Sequence, residues 1–300
     1  MVTQVQQNVT NYLENSGSVY AQNTLLVKSA NELTNNQGII GAKGAVDLAA
    51  GKDIKNFEGK LLSDGNISLT AQQDIVNISG EIKGDSVFLS SVGDIVNKKD
   101  MTTVSVTAEA DQQTFERTDQ GSDATIKAQN SLTLLAKKSI ENIAASLSGD
   151  NLVLRAGDSI GVDSGISKTQ FYSIPTEDLE ASVISSRLEA RGDITLAAKN
   201  DIVIRGSDVA AQENLAIQAE NNVLLSSAQN QSYSKNTQGT RVTVAKKTEQ
   251  RGASLRANNT TLDAGGNIIS TASTITANDS VSLTADGDIE LLAANDSEYH

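Results

Sequence analysis

Four side chains in this sequence are of the right type for polysaccharide chemistry: Asp158, Asp163, Arg187 and Arg191. Glycan lyases and hydrolases need two carboxylates flanking the scissile bond, and a cation to hold a charged substrate. The 42-residue interval around these four could bring them together, although a chain with 37 acidic residues makes such groupings freely. Other catalytic constellations lack parts. The single histidine, His300, stands at the very end, so a Ser/His/Asp arrangement has no base. There is no cysteine, which excludes thiol catalysis, disulfides and Cys-ligated zinc. The phosphate loops GxGxxG and GxxxxGK[ST] are absent. So is the calcium-binding GGxGxD nonapeptide, GGN at 265–267 and DGD at 286–288 being isolated turns. The expectation is a chain with no catalytic residue, no cofactor and no metal.

A second set of side chains is electrostatic. Lys235, Arg241, Lys246, Lys247 and Arg251, with Arg256 nearby, face only Glu249 in their stretch. Such a cluster fits contact with an anionic surface, lipopolysaccharide or acidic glycan; the plainer reading is a solvated hairpin edge blunted by charge. The chain as a whole carries a net charge of −13, which argues against nucleic acid as a partner.

The elements that must carry these residues are legible from repetition. Ile67, Leu69, Ala71 and Ile75 set a template of apolar, apolar, small and apolar positions at offsets 0, 2, 4 and 8. It occurs ten times in all, from Leu25/Val27/Ser29/Leu33 to Val281/Leu283/Ala285/Ile289, with Thr260 the one polar residue at an apolar position. Successive copies start 21, 21, 20, 45, 20, 42, 21, 45 and 21 residues apart. Each long interval leaves room for an additional turn, an insertion, or parts of both. A fifth apolar position follows the fourth by seven residues at Ile40, Leu61, Ile82, Leu147, Val209 and Ile275. Thr102, Ser167, Asn230 and Asp296 replace it; the first three precede the long intervals, so the interruptions leave the repeat from one side.

Alternation at offsets 0, 2 and 4 is strand periodicity, and strands this short cannot bury an apolar face alone. Three apolar stations in 20–21 residues predict a triangular coil of parallel strands, ten to thirteen turns at about 4.8 Å per turn. Composition agrees. Aromatics are 3%, there is no Trp, and Pro175 is the only proline, so the interior must be aliphatic. No apolar run reaches the roughly 18 residues that span a bilayer. The opening MVTQVQQNVTNYLEN has neither the basic nor the apolar region of a signal peptide, so an exported protein would have to extend beyond this chain.

Asp53, Asp74 and Asp94 precede the fourth position, and Asn56, Asn77 and Asn97 follow three residues later. In register these predict stacked columns: Asn side chains bonded along a ladder, and Asp residues as solvated Asx turns or, as the alternative, a cation site. Gly38, Gly59 and Gly80 recur at 21 residues, which predicts corners with positive φ. Beyond residue 100 the Asn column persists at Asn142 and then gives way to Val162, Ile204, Leu225 and Leu291. The chain therefore divides into a continuous coil over 1–100 and a coil with outgrowths over 101–300. The outgrowths lie near 98–125, 163–190 and 226–258, and TTVSVTA and RVTVAKK in two of them predict β-hairpins standing off the shaft.

The stretch ANELTNNQGIIGAKGAVDLAAGKDIKN (30–56), with its copies up to Asn97, resembles the filamentous haemagglutinin repeats of bacterial two-partner-secreted exoproteins. Residues 193–235 and 261–296 resemble the second haemagglutinin-repeat class, typical of large adhesins and of CdiA-like contact-dependent growth-inhibition effectors. The resemblance implies an all-β, right-handed parallel β-helix, exported through a dedicated outer-membrane transporter and displayed at the bacterial surface as a filament. It further implies a target-cell outer membrane or host surface glycans as partners. The function expected is a non-enzymatic shaft for toxin delivery or adhesion; the alternatives are a glycan- or lipid-binding module and a polysaccharide-processing enzyme.

Overall fold

A computed structural model describes residues 17–108, 113–173 and 176–299. The opening stretch MVTQVQQNVTNYLEN, Pro175 and His300 lie outside them. Every regular element among the described residues is a strand. One coil reads Ile39–Ala42, Ala45–Ala50, Ile54–Phe57; the next reads Lys60–Ser63, Ile67–Ala71, Ile75–Ile78. Each strand pairs in parallel with its counterpart one coil on, so the chain winds a parallel β-helix with three faces.

The register is the one the template demands. Ile54 stands opposite Ile75, Ile75 opposite Ile95, and Ile95 opposite Ile140, and all four are 1% exposed. The third face is a ten-stranded sheet, so the described residues form ten coils, a rod of roughly 50 Å at the usual strand spacing. The long intervals hold one coil and one hairpin each, not a second coil. In the last coils the strands Ser254–Ala264 and Thr274–Ala285 run straight through one corner, which joins the first two faces into a single sheet.

The fifth apolar column is continuous as well. After each hairpin it resumes at Ile126, Leu188 and Leu255, which pair with Ile82, Leu147 and Val209 and are buried. Thr102, Ser167 and Asn230, aligned to this column in the sequence, belong instead to the hairpins.

Thr260 keeps its place among the Leu and Val residues of its column. It is wholly buried, and its hydroxyl has no hydrogen-bond partner. An unpaired buried hydroxyl costs about 1–3 kcal/mol. Thr260→Val, nearly the same shape, is expected to stabilise the last coils by about 1 kcal/mol, read as a higher urea midpoint at unchanged slope.

The Asn column is a buried ladder. The Nδ2 groups of Asn35, Asn56, Asn77 and Asn97 donate to Oδ1 of the next Asn at 2.8, 2.7, 2.7 and 2.7 Å, ending on Asn142. The second protons of Asn35, Asn56 and Asn77 go to the corner carbonyls of Gly38, Gly59 and Gly80, the last at 2.9 Å. The expectation for the corner glycines is overturned. Positive φ falls on the preceding residues, Gln37, Glu58 and Ser79, at 55°, 49° and 49°. The glycines are needed for space: a Cβ at Gly59 would overlap the Asn35 and Asn56 amides, and one at Gly80 those of Asn56 and Asn77.

Candidate functional site

All three outgrowths are antiparallel hairpins: Met101–Ala108 with Gln113–Gln120, Gly165–Ser173 with Thr176–Ile184, and Ala228–Gln238 with Arg241–Arg251. They stand off the shaft, but not singly. Phe115 pairs with Phe171, Leu179 with Tyr233, and Lys247 with Glu298 of the short strand Ser297–Tyr299, so seven strands form one antiparallel sheet. The reason is spacing. The hairpins leave after the fourth, sixth and eighth coils, and Ser297–Tyr299 follows the tenth. Two strands of a hairpin occupy the same height, about 4.8 Å each, as two coils of the shaft. Neighbouring hairpins therefore meet edge to edge and merge into a continuous fin.

The carboxylates and arginines of the polysaccharide-enzyme reading do not converge. Asp163 is held by Arg205 through two hydrogen bonds of 2.7 Å. Arg191 pairs with Asp150 and donates to the Gln129 carbonyl, and Arg187 pairs with Glu189 at 3.3 Å. Asp158 accepts from Ser139, Ser159 and Asn200 on another corner. One open groove of about 720 Å3 along the shaft is lined by Gln72, Val92, Lys137, Arg155 and Lys199, with no carboxylate. Among the described residues no three metal-ligating side chains come together.

The Asp column is a capping ladder. Asp53 Oδ1 accepts the amide of Asp74 at 3.0 Å, Asp74 that of Asp94 at 2.8 Å, and Asp94 that of Ser139 at 2.8 Å. The same bond recurs from Asp201 to Asn222, Asn267 and Asp288. Each side chain thus satisfies a corner amide of the following coil, where Asn serves as well as Asp. The bond from Asp74, together with Lys55 at 3.2 Å, holds the Asp53 carboxyl below the usual carboxylate range. A lowered folded value stabilises above the unfolded value and is lost as pH falls through the folded one. Asp53→Asn keeps the acceptor, so it is expected to shift neutral-pH stability by less than about 1 kcal/mol. It should also flatten the acid-side slope below about pH 4, measured as urea midpoint against pH.

The basic residues of the third hairpin are divided by the pleat. Opposite residues of an antiparallel pair share a face, and alternate residues switch faces. Arg241, Lys247 and Arg251 therefore lie on one face of the fin, and Lys235 and Lys246 on the other. Arg251 is committed to Asp208 at 2.7 Å, which ties the hairpin root to the shaft, and Lys247 to Glu249 at 2.5 Å. Glu249, followed by Glu298 and Asp296, raises the Lys247 pKa. Arg256 sits in the shaft strand Ser254–Ala264.

What the sequence reading missed is the pairing between hairpins. Val106, Phe115 and Phe171 stand directly opposite one another across three strands that come from two insertions. The signal was present in the even two-coil interval between insertions.

One haemagglutinin-repeat family model matches residues 3–56, 58–99 and 102–165, and a second matches 175–245 and 239–300. The chain belongs to the haemagglutinin-repeat family. Among curated proteins, this haemagglutinin-repeat chain is 27% identical over 225 residues to a tRNA nuclease CdiA of Escherichia coli (strain STEC_O31). That match covers 72% of this chain and 7% of the relative. No solved structure matches. The chain is thus a haemagglutinin-repeat shaft of the filamentous, secreted kind, and the second family model begins within the second hairpin and covers the third hairpin and the coils beyond.

Proposed function

We propose that this segment is a non-enzymatic stalk of a bacterial surface exoprotein, and that it holds a toxin-bearing region away from the producing cell to reach a neighbour. The observation that carries this is the unbroken aliphatic column running through ten coils, which makes a stiff rod of repeated short strands. The likeness to a protein named as a tRNA nuclease favours toxin delivery over adhesion. A two-partner-secretion transporter is the partner this reading requires: a coil without disulfides can cross unfolded and stack outside, each coil templating the next.

The test removes reach and keeps the chain exported. In the complete parent protein, excising residues 144–205 joins coil to coil and takes out one hairpin. Cells should still display the protein, while killing or inhibition of contacting neighbours falls by at least tenfold. Undiminished inhibition would overturn the stalk reading, and adhesion lost in its place would make the protein an adhesin.

A second reading rests on Lys235 and Lys246, which share one face of the fin and form no ion pair with another described residue. These two cations contact an anionic glycan or lipid headgroup. Lys235→Glu with Lys246→Glu should then weaken cell binding, more so at low salt.

A further inference from the structure

The two edges of the fin are built differently. One edge, Arg241–Arg251, carries Arg241, Lys246, Lys247, Glu249 and Arg251, and Ser297–Tyr299 covers it over Lys246–Thr248. Charges and a covering strand are how proteins keep a sheet edge from recruiting other chains. The other edge, Met101–Ala108, has neither. It is MTTVSVTA, eight residues without a charge, and its seven residues from Thr102 onward are exposed. Among the described residues it pairs only with Gln113–Gln120, which leaves its outer row of amides and carbonyls open to them. Beside it lies an apolar row on one face: Val106 is 51% and Phe115 38% exposed, with Phe171 next in line.

We propose that Met101–Ala108 is a docking edge for an extended segment of another polypeptide, which joins the fin as an eighth antiparallel strand. Backbone bonds to the open row supply the affinity, and side chains opposite Val104 and Val106 supply the selectivity. The fin itself shows what covers one of its strands. Gln113–Gln120 and Thr176–Ile184 are each paired, over part of their length, by an antiparallel strand from the next insertion. The segment therefore has six to eight residues, β-branched or aromatic at alternate positions, prolonging the row Phe171, Phe115, Val106. A second copy of this chain fits less well: paired about a two-fold axis at Ser105, it would set Ala108, at the outer end of its hairpin, opposite Thr102 at the root of the other, against the shaft.

The test uses the 300-residue protein and a fluorescein-labelled peptide, KTVTFTVTK, with KTVTPTVTK as its proline counterpart, followed by anisotropy. Saturable binding of the first peptide is expected, at least tenfold weaker for the second. Val106→Lys, on an exposed site that leaves folding intact by circular dichroism, should weaken it at least tenfold. Val242→Lys, on the opposite edge strand, should leave it unchanged. Amides of 102–108 should gain exchange protection on binding. No binding up to the peptide's solubility limit, equal binding of the proline peptide, or indifference to Val106→Lys overturns the proposal. Concentration-dependent dimers abolished by Val106→Lys overturn its choice of occupant.

Discussion

Asn77→Asp is expected to destabilise the first coils by about 3–5 kcal/mol, although it changes one atom. Asn77 is 1% exposed and accepts from Asn56 while donating to Asn97 and to the Gly80 carbonyl. A carboxylate keeps the first bond and turns the other two into contacts between acceptors, with a buried charge added. The carboxyl's folded pKa is then raised above its unfolded value, so the loss deepens as pH rises above about 4 and eases below it. Asn77→Leu should cost about 2–4 kcal/mol, because Asn56, Asn97 and Gly80 each lose a partner. Asn142→Val should cost less, since Asn142 ends the ladder and Val162 already follows it in register. Amide exchange of the strands Ile54–Phe57, Ile75–Ile78 and Ile95–Lys98 reads these losses locally, which suits a repeat array that need not unfold in one step. A shift below 1 kcal/mol for Asn77→Asp would show that the ladder follows the fold and does not hold it.

The coil was legible because one physical requirement wrote it many times. Parallel stacking places like residues over like, so Ile54, Ile75 and Ile95 declare a column that no isolated strand could declare. The Asn ladder was legible for the same reason. The corner glycines were misread because two causes, positive φ and close approach, favour the same residue; only the geometry shows that Gln37, Glu58 and Ser79 carry the φ. The fin was hidden because its pairs, such as Phe115 with Phe171, join insertions that share no repeated wording. The arginines were ambiguous because a surface cation finds some carboxylate in a chain this acidic: Arg251 found Asp208, and Arg205 found Asp163. The same ambiguity left the polysaccharide-enzyme reading open until the partners were known.

Removing residues 144–163 is expected to leave the shaft standing and break the fin. The excision takes out one coil and joins Ile143 to Ser164, which then takes the place of Ala144, the corner residue equivalent to it one coil earlier. Every column of the shaft can then close over the gap. The first two hairpins, however, now leave one coil apart, with about 4.8 Å of height for two strands that need about twice that. Gln113–Gln120 can no longer meet Gly165–Ser173 in register, so the first hairpin is left as a pair too small to hold itself in water, while the second stays joined to the third. Protection of the first hairpin's amides should fall about a hundredfold while that of the core strands Ser131–Ala136 and Ile194–Ala198 is kept. A disulfide between Phe115→Cys and Phe171→Cys, opposite one another in the intact fin, should form in the full chain and fail in the shortened one. Removing residues 58–78 provides the matched comparison: it also deletes one coil, but before any hairpin leaves, so the fin and the disulfide should both survive. If both excisions preserved the disulfide, the fin would owe its continuity to its own strands and not to the pitch of the shaft. If both destroyed it, the shaft itself would have failed to close. Loss in the first and survival in the second is the outcome that only a shared 4.8 Å spacing between shaft and fin produces.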